Sequence, residues 1–133
     1  MMTSGWWHRL ITRLTHRNSH LLELKETLGC SEMENSHYGG FKTVKIDRIR
    51  GTEGKSDAFD DGFHPLREKS RDRWLRIARE RLNGQPLPPV ELIDVDGTYY
   101  VRDGHHRISV ARCLGETYID AEIIVMDLNR RVQ

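Results

Sequence analysis

The N-terminal part of the chain has apolar positions at helical spacing. Four of them, at i, i+3, i+4 and i+7, are Trp7, Leu10, Ile11 and Leu14. This stripe predicts an amphipathic helix over residues 5–17. A second, short helix is predicted between Ser19, a suitable N-cap, and Gly29, which favours a helix end. Polar residues and two glycines then predict a linker over residues 30–40, so residues 1–38 are interpreted as a helical arm.

Residues 39–133 are interpreted as the main domain, because strand-like and helical patterns alternate there. Alternating apolar and polar positions predict a strand over residues 41–49, and a helical stripe predicts a helix from about Ser70 to Asn83. Between them lies a loop from Gly51 to Pro65 that is rich in Gly and Asp. A structureless segment of that length in a compact domain is expected to be functional or mobile.

Two strand-like runs at residues 90–95 and 98–102 flank an Asp-Gly dipeptide at 96–97, which is the strongest short-range signal for a β-hairpin. After a second Asp-Gly dipeptide at 103–104 the pattern becomes helical, and a last strand is predicted over residues 121–126. The order strand, loop, helix, hairpin, helix, strand predicts one small α/β domain.

Composition limits the function classes. The chain of 133 residues is 37% hydrophobic and 31% charged, which fits one globular domain with a short appendage. Its formal net charge of +1 lacks the bulk basicity of a duplex-DNA binder, so DNA is an open but not a favoured partner. Cys30 and Cys113 match no disulfide or metal motif, and no apolar stretch reaches the roughly 18 residues of a membrane span. We therefore expect a cytoplasmic protein without a membrane span.

The strongest candidate for chemistry is the sequence Asp-Gly-His-His-Arg, where a predicted strand runs into a helix. The first amides of a helix have no backbone partner and lie at the positive end of its dipole, so such a turn can bind an anion. Gly104 would let the backbone approach a phosphate, and Arg107 would contact its oxygens. Asp103 would hold a divalent cation or orient a donor. His105 and His106 are both anion donors, or one is a proton carrier and the other a spectator.

A purely structural interpretation of this junction stays open. Strand-Asp-Gly-helix also occurs where a tight turn is needed and the Asp simply caps the helix. Adjacent histidines point about 100° apart on a helix, so a shared zinc ion is not expected.

The run over residues 86–126, PLPPVELIDVDGTYYVRDGHHRISVARCLGETYIDAEIIVM, resembles the ParB N-terminal/sulfiredoxin-like family. In that family a hairpin leads into a helix start that binds nucleotide phosphates, and the Asp-Gly-His start is most similar to that of free serine kinases. The resemblance implies a small mixed sheet with flanking helices. It also implies a cradle at Gly104, His105, His106 and Arg107 for a nucleoside di- or triphosphate, such as ATP, ADP or CTP.

Two departures restrict what the resemblance implies. Sulfiredoxin chemistry needs a cysteine thiolate, and His105 occupies the matching position, so sulfinic acid reduction is rejected. ParB proteins continue into a helix-turn-helix domain, whereas seven residues follow Met126 here, so partition-site recognition is not expected.

The function implied is Mg²⁺-dependent nucleotide hydrolysis or phosphoryl transfer. His106 and Arg107 would stabilise the transferred phosphate and Asp103 would hold Mg²⁺. In the kinase relatives an acidic residue after the first strand serves as base, and Glu53 or Asp57 is the counterpart, unless these acids only form a solvated loop. The alternatives are a non-catalytic, nucleotide-gated switch and a ParB-like DNA-binding or nuclease module.

Two further groups of residues have open roles. The basic residues around the start of the helix predicted from about residue 70 either add phosphate contacts or form an exposed ionic helix start, and they are Arg67, Lys69, Arg71 and Arg73. The apolar stripe of the arm fits packing on its own domain or on a second copy, so a homodimer is also open.

Overall fold

The computed structural model describes residues 21–28, 32–55, 58–60 and 62–129. The helix predicted over residues 5–17 therefore lies outside the described residues. The strands and helices are, in chain order, β1 (Leu22–Glu23), α1 (Leu24–Leu28), β2 (Glu32–Lys45), β3 (Ile49–Thr52), α2 (Arg71–Leu82), β4 (Val90–Val95), β5 (Thr98–Asp103), α3 (His105–Cys113) and β6 (Tyr118–Asn129). Short 3-10 helices lie at Ile46–Arg48 and Glu68–Ser70. In this part of the chain no helix is long and apolar enough to cross a membrane.

The six strands form one mixed sheet in the order β1-β3-β5-β4-β6-β2. Strand β3 is parallel to β5 and β4 is parallel to β6, while the β4/β5 and β6/β2 pairs are antiparallel. A mixed sheet with helices packed on it confirms the predicted α/β architecture.

Apolar side chains on the two faces of the sheet bury against different helices. On one face Ile93, Tyr100 and Met126 pack with Leu24 of α1. The other face belongs to the cluster that contains Ile108 of α3. Helix α2 lies against α3, where Trp74, Ile77 and Ala78 pack with Val110 and the Trp74 indole donates to Ser109 Oγ at 2.9 Å. Helix α3 is therefore fixed from both sides.

The central hairpin matches its prediction. Asp96 (φ 52°) and Gly97 (φ 88°) both have positive φ, as a two-residue turn that continues the strand twist requires. The Gly97 amide donates to Asp94 Oδ1 at 2.8 Å, which stabilises the turn. Strand β5 extends this hairpin to Asp103, so the hairpin delivers the chain directly to the start of α3.

The linker predicted over residues 30–40 is wrong from residue 32 onward, because this segment belongs to β2. It pairs with β6 from Glu32↔Asn129 to Lys45↔Tyr118. Partner strand β6 satisfies backbone groups in a segment whose polar side chains gave no strand pattern. Strand β2 runs through residues 38 and 39, where the arm and the domain are predicted to divide.

The loop predicted from Gly51 to Pro65 is folded in its described part. Phe59 and Pro65 form an isolated antiparallel bridge, and the Phe59 side chain is buried. The Asp60 carboxylate is buried and accepts hydrogen bonds from the amides of Gly62 and His64, both at 2.9 Å. These contacts place the Phe59 ring against the start of α3.

Candidate functional site

The site begins at Gly104, where β5 gives way to α3. Its φ of +108° is one that side chains rarely adopt. A Cβ at this position would lie 2.5 Å from Val90 Cγ1 of β4, closer than carbon atoms can approach. Glycine is therefore required both by the backbone conformation and by the contact with β4.

The amides at the start of α3 precede its backbone hydrogen-bond ladder. The first i to i+4 bond of the helix runs from the Ile108 amide to the Gly104 carbonyl, at 3.0 Å. The N-cap residue Gly104 has no side chain that could accept hydrogen bonds from the amides of residues 105–107. The amides of residues 105–107 therefore lie at the positive end of the helix dipole, as predicted for an anion site.

The Arg107 side chain fixes the connector, the segment over residues 83–89 between α2 and β4. Its Nη1 donates to the carbonyls of Pro88 (2.8 Å) and Pro89 (2.9 Å), and its Nη2 donates to Asp103 Oδ2 at 2.8 Å. The Arg107 side chain is only 15% exposed, whereas that of Asp103 is 64% exposed. In this arrangement the two predicted ligand-binding side chains bind each other, and Arg107 also fixes the connector before β4.

His105 turns into the core. Its Nε2 forms a hydrogen bond with Thr52 Oγ1, and its ring stacks on Phe59 with centroids 5.6 Å apart. Burial, assisted by the charge of Lys55, lowers the pKa of His105 to about 4, so the imidazole is neutral at pH 7. The side chain predicted as an anion donor is thus part of the packing, and only its amide lies at the helix start.

His106 lies in an unusual environment. Its ring stands edge-on to Phe59, with centroids 5.2 Å apart. Its Nε2 atom is buried and has no hydrogen-bond partner among the described residues. Burial, together with the positive charges of Arg73 and Lys55, lowers the pKa of His106 to about 4. A neutral imidazole with an unsatisfied ring nitrogen therefore lies beside two cations.

Two clefts adjoin at His106. Cleft A has a volume of about 390 Å³, and its charged lining consists of Lys55, Arg73, Arg76, Glu80, Asp103 and Arg107. Cleft B has a volume of about 520 Å³, and its charged lining among the described residues consists of Lys55, Arg67, Lys69 and Arg73. The clefts share Lys55, Arg73 and His106.

Most of the cations in these clefts have no counter-charge in the described part of the chain. None of Lys55, Arg67, Lys69, Arg73 and Arg76 forms an ion pair there, in contrast to Arg107. A third cleft, of about 270 Å³ on the other side of Pro88, is lined by the ion pair Arg81–Glu116. Clefts A and B are therefore the candidate anion site.

The sequence pointed to part of this surface. Arg67, Lys69 and Arg73, for which phosphate contacts and an exposed ionic helix start both stay open, line cleft B, whereas Arg71 lines neither cleft. Lys55 and Arg76 were missed. The signal for Arg76 was its i, i+3 spacing from Arg73 on one helix face, while Lys55 reaches the site only because the loop folds onto α3.

The structure does not bring the predicted acidic base to the clefts. Glu53 lines neither of them and pairs with Arg102, with Nε and Oε1 3.2 Å apart. The alternative, Asp57, lies outside the described residues. In the same loop the Asp60 carboxylate is occupied by its own turn.

Comparisons with known proteins gave one structural similarity. The chain is similar to the crystal structure of sulfiredoxin from Arabidopsis thaliana, at 22% sequence identity and with a TM-score of 0.47, over 62% of this chain and 82% of that one. No protein-family model and no curated protein matches the chain. This similarity assigns no role to any residue of the present chain.

Proposed function

We propose that the protein binds the phosphate groups of a nucleotide in cleft A. The observation that carries this proposal is the set of cations Lys55, Arg73 and Arg76, which form no ion pair with a described residue, in a cleft whose wall includes Gly104 and the start of α3. Cations without counter-charges and amides at a helix start favour the same ligand, a compact group of anionic oxygens. Asp103 and Glu80 are the only carboxylates in the described lining of cleft A, and Asp103 is neutralised by Arg107.

His106 would act at the inner wall of the cleft. As a neutral imidazole it carries one ring N–H, which can donate to a phosphate oxygen, and one unprotonated ring nitrogen, which can take up a proton from the ligand. An anion beside it would offset the charges of Lys55 and Arg73, which now lower its pKa. Ligand binding would therefore raise the pKa of His106.

Mg²⁺-dependent hydrolysis or phosphoryl transfer is the catalytic extension of this proposal. Mg²⁺ is commonly held through one or two carboxylates and the substrate phosphates, and Asp103 is the exposed carboxylate next to Gly104. When bound, the ion would neutralise developing charge on the phosphates. The described residues contain no group of three or more His, Cys, Asp or Glu side chains suited to a metal ion, so any site would depend on the nucleotide.

Calorimetric titration with ATP, ADP, CTP and GTP, with and without Mg²⁺, tests the proposal. We expect saturable binding that weakens about tenfold in Arg76→Gln, since a hydrogen bond to a charged group contributes about 1.5–3 kcal/mol when fully formed. Arg79→Gln is the matched control, because Arg79 is exposed on the same helix and lines neither cleft.

The outcomes separate the candidate functions. Binding without product in a phosphate-release assay favours the nucleotide-gated switch, and product formation favours the enzyme. The absence of binding for all four nucleotides, or equal losses in Arg76→Gln and Arg79→Gln, refutes nucleotide binding in cleft A. Binding of duplex DNA alone would instead favour the DNA-binding module.

A further inference from the structure

We infer that cleft B is a second anion subsite, so that the ligand carries two phosphate groups on opposite sides of a nucleoside. This inference rests on the proposed binding of a nucleotide phosphate in cleft A and adds the class of ligand. The chemistry fits a nucleoside 3′,5′-bisphosphate or a short single strand of nucleic acid, since both carry phosphates on the 3′ and 5′ sides of one nucleoside.

The charge of cleft B is the first support. Its described lining contains Lys55, Arg67, Lys69 and Arg73 and no carboxylate. All four side chains are exposed, and none forms an ion pair with a described residue. Like charges around one cleft repel one another, and a bound anion would remove that repulsion.

The continuity of the clefts is the second support. Lys55, Arg73 and His106 line both, so a ligand in cleft A lies directly beside cleft B. The positive charges of Arg73 and Lys55 both act on the His106 imidazole, which shows that they lie close to this shared wall. A ligand that extends past these shared residues would therefore contact both groups of cations.

The volumes leave room for a phosphate group in each cleft. Cleft A alone, at about 390 Å³, lies within the range of small-molecule sites and can hold a di- or triphosphate group. Cleft B adds about 520 Å³ on the other side of the shared wall. A second phosphate, attached to the far side of the sugar, would enter it.

The described lining of the two clefts contains few aromatic residues. Phe59 is the only Phe, Tyr or Trp residue in the described lining of either cleft, and it is 1% exposed. No exposed aromatic ring is offered there for stacking on a base. Among the described residues, recognition would then rest on contacts to the phosphates.

The test compares ADP with adenosine 3′-phosphate 5′-diphosphate, which differ by one phosphate. We expect the wild-type protein to bind the 3′-phosphorylated ligand at least about tenfold more tightly in calorimetry at low salt. The variant Arg67→Gln/Lys69→Gln should lose this difference and keep its affinity for ADP. The variant Arg71→Gln/Arg79→Gln removes the same net charge outside both clefts and should keep the difference.

A 5′-phosphorylated tetradeoxyadenylate distinguishes the two sources of such a ligand. If a nucleic-acid strand is the occupant, it binds more tightly than the bisphosphate, and its affinity falls linearly with salt on logarithmic axes. In Arg67→Gln/Lys69→Gln this slope should become shallower by about 0.7 for each phosphate that the variant no longer neutralises. Equal or weaker binding than the bisphosphate selects the small molecule.

Two results would overturn the inference, and they are separable from failure of the proposed function. Equal wild-type affinity for ADP and its 3′-phosphorylated form, with ADP binding still weakened by Arg76→Gln, removes the second subsite and leaves cleft A intact. Equal losses in the two double variants would reduce cleft B to general electrostatic attraction. If ADP does not bind at all, the proposed function itself fails.

Discussion

Replacing Gly104 with Ala tests whether backbone geometry fixes the turn that forms cleft A. At φ +108° an L-residue in the left-handed region costs roughly 1–2 kcal/mol. The new Cβ would also lie 2.5 Å from Val90 Cγ1 and 2.8 Å from Val90 Cβ, and overpacking of this kind costs roughly 1–3 kcal/mol. We therefore expect Gly104→Ala to lower the free energy of unfolding by about 2–5 kcal/mol.

Urea unfolding followed by circular dichroism measures this loss, and two further variants identify its origin. Gly84→Ala is the matched control, because Gly84 also has positive φ (+75°) but a Cβ there would meet nothing within 4 Å. It should incur the backbone cost of about 1 kcal/mol alone. In the double variant Gly104→Ala/Val90→Ala the Cγ1 overlap is removed and the 2.8 Å approach to Cβ remains, so its loss should be smaller than the sum of the single losses by part of the overpacking cost of about 1–3 kcal/mol.

If Gly104→Ala and Gly84→Ala have the same unfolding midpoint, β4 does not pack against the turn and the start of α3 is not fixed by this contact. Additive losses for Gly104 and Val90 would lead to the same conclusion.

Three other predictions address the residues around the site. Because burial lowers the pKa of His105 to about 4 against about 6.5 in the unfolded chain, the unfolded state binds more protons in this range, so the free energy of unfolding should fall by about 3 kcal/mol as the pH drops from 6.5 to 4. Urea unfolding at several pH values measures this fall, and an equal fall for the wild type and His105→Asn would contradict the prediction. Arg107→Lys should lower stability by about 1.5–3 kcal/mol in urea unfolding, since an ammonium cannot keep both proline carbonyls and Asp103, and unchanged stability would show that these hydrogen bonds do not fix the segment before β4. Trp74→Phe should cost about 1–3 kcal/mol in thermal unfolding by leaving Ser109 Oγ without its indole donor, and an additive effect of Ser109→Ala would argue against this coupling.

The parts of the fold predicted correctly depend on local chemistry. The dipeptide at residues 96–97 favours positive φ at both positions, so the hairpin follows from two residues. The helical stripe of α2 and the glycine at its end likewise reflect local conformational preferences, and the observed Arg71–Leu82 agrees closely with the predicted helix.

The parts that were missed depend on contacts distant in sequence. Residues 32–40 form a strand because β6 supplies backbone partners more than 80 residues away, and their polar side chains give no local pattern. The clefts are a second example. Lys55 and Arg73 come from a loop and a helix, and only packing of both against α3 brings their charges to His106. The spacing of these residues in the sequence gives no sign that the fold brings them together.

The pair formed by Asp103 and Arg107 connects the predicted roles of these residues with the geometry observed. Arg107 is 15% exposed and held by two carbonyls, whereas Asp103 is 64% exposed and held by one bond. When a phosphate enters cleft A, the less costly adjustment is therefore for Asp103 to turn toward solvent, because an exposed ion pair contributes little. Arg107 Nη2 would then be free to donate to the phosphate, and the Asp103 carboxylate, no longer paired with Arg107, would be free to hold a cation. The ion pair is thus the arrangement expected before the ligand arrives, and the two predicted roles would appear together only when it is bound.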